Sequence, residues 1–351
     1  MCRFLIFKGK KPLLLSDLLT SPAHSIINQS FDSRLRLDMR RPINGDGFGV
    51  GYYTLDEELD QDGPCVFKAI TPAWNNLNLK RLAEKTKSEL VFAHVRASTY
   101  GVLSETNCHP FTYHNIMFMH NGQIAYFGRI KRKIFDHIED EFLLHIQGAT
   151  DSECAFALFL DTLHKMGVNI KDPRGDFGHA VVRKALMKTI EYIKEWTVEL
   201  NVENPEPSLL NFAVTDGSSI VVSRYITSKT EEAASLHFST GSSFVEYEPG
   251  QYRMERVDRS QDVIMIASEP LTFERGDWIA VPTNSMITVK NQTVLLHPIL
   301  DEFYQESPSF RRSSGFAESR GLMGSVPIAE TVDRDLPPLE REGRSRSVVA
   351  I

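Results

Sequence analysis

Met1-Cys2-Arg3-Phe4-Leu5-Ile6-Phe7 places a small residue after the initiator methionine and then an apolar run with the content of a strand packed inside a sheet. A methionine followed by a small residue is readily trimmed, which would leave Cys2 carrying both a thiol and a free α-amine. An α-amine titrates near ~7.7–8.0 and a free thiol near ~8.5, so one residue could supply a nucleophile and its general base. The other reading of Cys2 is an incidental small residue at the start of a strand. Lys8-Gly9-Lys10-Lys11-Pro12 is expected to end the strand.

Outward from there, composition sets broad limits. The 351 residues are 42% hydrophobic and 24% charged, an ordinary globular balance. A net charge of −7 argues against nucleic acid or an anionic membrane as the main partner. No long apolar span or signal peptide is read, which predicts a cytoplasmic or nuclear chain with reduced thiols, the cytoplasm being the compartment expected. Cys2, Cys65, Cys108 and Cys154 form no CxxC pair, so neither a disulfide framework nor a metal site is expected.

Asn44-Gly45-Asp46-Gly47-Phe48-Gly49 lacks GxGxxG spacing and runs into Val50-Gly51-Tyr52-Tyr53, a strand pattern, so it is not a dinucleotide loop. Residues 77–90 and 126–146 read as helical. Thr150-Asp151-Ser152-Glu153 reads as a capping box opening a helix over 154–166, and a second long helix spans 179–200. From 208 the chain turns β-rich, with Asp216-Gly217 as a hairpin. Strands, two long helices and more strands predict a layered α+β domain with helices outside two sheets. The domain is expected over 2–304. Residues 305–351, rich in Ser, Pro and Arg, read as a disordered tail, and Arg311-Arg312-Ser313-Ser314 and Arg344-Ser345-Arg346-Ser347 suggest a phosphorylation target.

Three further pieces could carry chemistry, each with a structural alternative. Arg96, after the apolar strand Leu90–Val95 and before Ser98 and Thr99, could hold a substrate carboxylate or pair with a surface acid. Asn121-Gly122 could offer two oxyanion donors or simply form an Asn-Gly turn. Asp151 could receive a substrate ammonium or favour the helix dipole, as any first-turn carboxylate does. A papain-like pair built on Cys108 or Cys154 is the competing enzyme reading.

In order, Cys2-Arg3-Phe4, the glycine-rich loop, His94-Val95-Arg96-Ala97-Ser98-Thr99, Asn107-Cys108-His109-Pro110-Phe111, His120-Asn121-Gly122 and Thr150-Asp151-Ser152-Glu153 resemble the class II glutamine amidotransferases, N-terminal-nucleophile (Ntn) hydrolases, over about residues 2–300. Ile43–Gly49 and Ala267-Ser268-Glu269-Pro270-Leu271 are similar to the branch formed by the amidotransferase subunit of the fungal alternative glutathione-degradation complex. The resemblance implies a four-layer αββα sandwich of two mostly antiparallel sheets. It implies that Cys2 attacks a γ-glutamyl carbonyl to give a thioester, with Asn121 and Gly122 holding the oxyanion. Arg96 and Thr99 would bind the α-carboxylate and Asp151 the α-ammonium, with no metal or cofactor. The substrate would be glutathione or glutamine, and the partner a metallopeptidase-like protein. Ala97 and Tyr100-Gly101 depart from the family's usual residues around its glutamine-binding loop, which leaves room for a larger γ-glutamyl substrate. A stand-alone glutaminase or amidotransferase supplying ammonia, and a catalytically silent regulatory partner, are the alternatives.

Overall fold

The structure is a computed structural model, described here over residues 2–35, 43–56, 63–98, 102–172, 175–257, 260–274, 276–306 and 310–325. In chain order the strands are β1 (Arg3–Leu14), β2 (Phe48–Tyr52), β3 (Cys65–Ala69), β4 (Lys87–Val95), β5 (Phe111–Tyr113), β6 (Ile116–Gln123), β7 (Leu209–Thr215) and β8 (Ile220–Arg224). There follow β9 (His237–Gly241), β10 (Ser243–Glu248), β11 (Gln251–Glu255), β12 (Val263–Ala267), β13 (Ile279–Ala280), β14 (Ser285–Lys290) and β15 (Thr293–Pro298). The helices are α1 (Leu15–Leu19), α2 (Ile26–Gln29), α3 (Leu77–Ala83), α4 (Phe127–His137), α5 (Asp140–His145), α6 (Asp151–Lys165), α7 (His179–Val198) and α8 (Gly315–Ser319).

Seven strands form one sheet in the order β13-β9-β12-β1-β4-β2-β3, and six form a second in the order β15-β14-β8-β7-β6-β5. The strand pairings within both sheets are antiparallel. Alternation along the strands builds three apolar layers. Phe4 and Ile6 of β1 meet Met117 and Met119 of β6 between the sheets. Leu5 and Phe7 face the short helices α1–α3, while Ile116 and Phe118 face α6 and α7. The architecture is therefore the expected αββα sandwich. Each sheet is covered on both faces, which is why antiparallel strands here read as nearly continuous apolar runs rather than alternating ones.

Several local expectations change. β1 does not stop at Lys8 but runs to Leu14, accommodating Gly9–Pro12 as an irregularity in its pairing with β4. The 77–90 helix ends at Ala83, because Lys87 already belongs to β4, and 126–146 splits into α4 and α5. Thr150 caps α6 by accepting from the Glu153 N–H (3.3 Å), but the Glu153 carboxylate takes the Gln147 and Gly148 N–H groups (2.9 and 2.7 Å). The capping box is thus half made, and its acid ties down the preceding loop instead.

The tail differs most. Residues 310–325 lie across the domain rather than off it: Ala317 and Leu322 are buried in an apolar cluster with Leu209, Ile226, Ala233 and Ala234. Ser313 pairs with Glu231 as an isolated parallel bridge, and the Arg312 guanidinium donates to the carbonyls of Ser228, Glu231 and Phe303. Ser, Arg and Gly content resembles disorder, but a few well-placed apolar side chains and backbone bonds suffice to dock a strap on an existing surface. Residues 326–351, including Arg344-Ser345-Arg346-Ser347, lie outside the described residues.

Candidate functional site

β1 is a central strand, and its register determines what stands beside its first residues. Arg3 opposes Val95 of β4, so Cys2 lies next to Arg96 where β4 ends. On the other flank Leu5 opposes Ala267 of β12, so Ser268 and Glu269 emerge beside Phe4 and Arg3. The strand ends of one sheet thus gather a thiol, a guanidinium, a hydroxyl and a carboxylate within two residue steps.

The second sheet supplies Asn121 and Gly122. They sit inside β6, paired with Asn211 and Leu210 of β7, so they are strand residues and not the Asn-Gly turn that the dipeptide also allows. Gly122 has φ +155°, and a Cβ there would collide with the Leu209 carbonyl oxygen. Gly122→Ala should therefore force β6 from β7, at a cost of about 1–3 kcal/mol from overpacking. A urea unfolding curve checks this, and a midpoint unchanged from wild type would contradict it.

Asn121 is buried, and its amide Nδ2 donates to Ser268 Oγ (3.0 Å), which also accepts the Phe4 N–H (3.1 Å). Ser268 therefore couples the Asn121 amide to β1, the strand that begins just after Cys2. Asp151 begins α6. Its Oδ2 accepts the Ile124 N–H and its Oδ1 the Ser152 N–H, both at 2.8 Å. Arg96 is buried and reaches Ser98 Oγ (3.1 Å). The Gly-rich loop holds that segment from the other side: Asp46 Oδ2 accepts the Ser98 N–H (2.7 Å), and Gly47 O accepts the Arg96 N–H (2.8 Å). Its glycines thus serve close backbone approach.

Cys2, Arg96, Ser98, Asn121, Gly122 and Asp151 line one pocket of about 490 Å³. Cys2 is half-buried there, its Sγ 3.7 Å from Ala97 O. Thr99 lies outside the described residues. A second cavity, about 530 Å³, lies at the outer helix pair, bordered by Lys165, Met187, Lys188 and Tyr192. It is a groove of lysine stems and apolar side chains without a nucleophile or an oxyanion donor pair. The pocket at Cys2 is the candidate site on chemistry rather than size.

Cys108 and Cys154 are unsuited to nucleophilic work, and Cys65 lies exposed on β3, outside the pocket. Burial raises Cys108 above its ordinary range and pushes Cys154 up to about 12. A papain-like site needs the reverse shift. Among the described residues no group of three His, Cys, Asp or Glu could hold a metal ion.

Sequence reasoning gave no role to Arg3, Glu269, His94, His109 or His120. Arg3 and Glu269 form a fully buried ion pair, and Arg3 Nη1 also donates to Cys2 O (2.9 Å). His120, buried, donates from Nε2 to Leu209 O (3.0 Å), and its Nδ1 lies 2.9 Å from Ser152 Oγ. His94 and His109 share a 2.8 Å contact behind the pocket. All five stand inside motifs already quoted, but their pairings cross the sheets and cannot be read from any one motif.

Burial is the largest cause holding His24, His94, His109, His120 and His237 below the usual histidine range, with His94 down to about 3 and His237 to about 4. The folded chain keeps them neutral while the unfolded chain protonates below about pH 6.5. The unfolded state therefore binds more protons, and stability should fall on acidification by up to about 1.4 kcal/mol per pH unit for each histidine involved. Asp17, Asp216 and Asp277, raised chiefly by burial, act in the opposite sense, but they begin from the lower carboxylate range. Urea unfolding from pH 8 to 4 is expected to show a plateau and then a decline below about 6.5. Equal stability at pH 7 and 5 would refute this account.

Comparison with known proteins decides the family. Residues 15–309 match the family of class II glutamine amidotransferases. The chain belongs to it. It is 72% identical, over 100% of its length and 99% of the relative's, to a Saccharomyces cerevisiae protein named "Probable glutamine amidotransferase DUG3". It is 22% identical to the gamma-glutamyl-hercynylcysteine sulfoxide hydrolase of Mycolicibacterium smegmatis, over 85% of this chain and 100% of that one. A solved Silicibacter pomeroyi structure, described as a "glutamine aminotransferase class-II domain protein", superposes with TM-score 0.55 at 23% identity, covering 86% of this chain and all of its own. That likeness speaks for the fold of this amidotransferase. Among the described residues no helix is long and apolar enough to cross a membrane.

Proposed function

We propose that this amidotransferase hydrolyses the γ-glutamyl amide or peptide bond of a small molecule, glutathione or glutamine, through a thioester on Cys2. The carrying observation is that four separate elements deliver Cys2, Arg96, Asn121-Gly122 and Asp151 to one pocket. Once Met1 is removed, the Cys2 amine takes the thiol proton, directly or through a water, and the sulfur attacks the γ-carbonyl carbon. The Asn121 amide and the Gly122 N–H hold the oxygen as it becomes an oxyanion. Arg96 and Thr99 bind the α-carboxylate and Asp151 the α-ammonium, which fixes the reacting carbon over the sulfur. Collapse of the tetrahedral adduct expels ammonia or an amino-terminal peptide amine, protonated by the Cys2 ammonium. Water then cleaves the thioester to glutamate and restores the thiol.

The narrower reading is a subunit of a cytoplasmic glutathione-degrading complex with a metallopeptidase-like partner, and it rests on the resemblance of Ile43–Gly49 and Ala267–Leu271 to that branch. A thiol nucleophile suits that reducing compartment. Intact-mass measurement of the purified chain, with and without glutathione or glutamine, tests the mechanism. The expected spectrum lacks Met1 and gains one γ-glutamyl group with substrate. A chain retaining Met1 would sink it. Turnover of glutathione only with the partner present would favour the complex, and glutamine turnover by the chain alone would favour ammonia supply.

A further inference from the structure

The strap over residues 310–325 does more than cover a surface. Its chain passes directly beside the nucleophile: Arg3 Nη1 donates to both Cys2 O and Gly321 O, each at 2.9 Å. The next residue, Leu322, is anchored by its carbonyl to the Ser235 N–H (2.7 Å), and the Gly324 N–H donates to Ser235 Oγ (3.0 Å). This anchoring puts the side chains of Arg320 and Leu322 into the wall of the Cys2 pocket.

We propose that this strap wall is the subsite for the leaving group, with Arg320 receiving a carboxylate on it. The proposal rests on the reading of Cys2 as the group that attacks a γ-glutamyl carbonyl. In that reading Arg96 and Asp151 occupy the amino-acid head of the substrate, and Asn121 and Gly122 its carbonyl oxygen. What departs must lie against the remaining wall. Of the basic side chains there, Lys131 has its ammonium over the Phe127 and Phe135 rings (5.7 and 5.1 Å) on α4, whereas Arg320 adjoins Gly321 at the nucleophile.

Arg320 is held ready rather than consumed. Its Nη2 donates to Glu206 Oε2 (3.1 Å), its guanidinium lies 5.3 Å from the Phe316 ring centroid, and its side chain is 32% exposed. A single bond to one carboxylate oxygen uses little of a five-donor fork built for bidentate pairing. Glu206, 56% exposed, competes for the same guanidinium. The substrate class that follows is γ-glutamyl peptides ending in a free carboxylate, favoured over neutral amides.

The test uses the full chain carrying Cys2→Ala, so that binding is read without turnover, and isothermal titration with γ-glutamylglycine and γ-glutamylglycinamide. The acid is expected to bind about tenfold more tightly than the amide, the scale of one charge-assisted hydrogen bond. Adding Arg320→Gln should bring that ratio toward one, and Glu206→Gln should raise it by removing the competing carboxylate. A ratio near one in the parent, or one unmoved by Arg320→Gln, overturns the subsite while leaving the γ-glutamyl reading in place. Failure of both dipeptides to bind overturns the two together.

Discussion

Cys2→Ala is expected to lower γ-glutamyl hydrolysis by on the order of 10⁴-fold or more with the fold intact, because no other group can form the thioester. The substitution is structurally mild. Cys2 is half-buried, precedes β1, and among the described residues its Sγ makes only a long 3.7 Å contact to Ala97 O. Alanine keeps a small second residue, so trimming of Met1 is unaffected. The thiols that remain near the pocket or the core, Cys108 and Cys154, are raised by burial and offer no replacement thiolate. Activity and unfolding temperature measured on the same preparation check the prediction. Wild-type turnover by Cys2→Ala would remove the central claim, and a large fall in unfolding temperature would show that Cys2 serves the fold instead.

Glu269→Ala is expected to cost about 3–5 kcal/mol of stability, since it strands Arg3 as a buried charge. The Arg3 and Glu269 side chains are 1% and 0% exposed, the Ser33 hydroxyl donates to Glu269 Oε2, and His24 Nε2 lies 3.8 Å from the same oxygen. Charges this deep are tolerated because they compensate each other, so the effect should be strongly non-additive. Arg3→Ala alone should be comparably damaging, while the double substitution should cost clearly less than the sum of the two. Urea unfolding of the two single variants and the double variant measures the coupling. Additivity within about 0.5 kcal/mol would mean that the pair is not the unit described. Arg3 also donates to the carbonyls of Cys2 and Gly321, so the loss should loosen both Cys2 and the strap.

Much of the fold was legible because its signals are local. Thr150 three residues before Glu153 announces a helix start, and Asp216-Gly217 joins β7 to β8 as its turn chemistry requires. The apolar runs at 3–7, 90–95 and 116–119 mark buried strands whatever their neighbours. Other features answered to distance. The strands β9, β10 and β11 have mixed composition and went unread, since their place is determined by pairing with β12 and with each other. Asn121-Gly122 carries a turn signal that β7 overrides by pairing with it.

The sequence by itself determined the Thr150 cap, the cysteine at the second position, and each short motif of the set that marks a class II glutamine amidotransferase. Each is written within a dozen residues and needs no partner from elsewhere in the chain. The tertiary structure decided which of those motifs meet. Arg3 finds Glu269 across 266 positions, Asn121 finds Ser268 across 147, and Gly321 closes on Arg3 across 318. Such contacts follow from strand register and from how two sheets stack. A one-residue slip in β1 would turn every side chain to the opposite face and part Cys2 from Arg96.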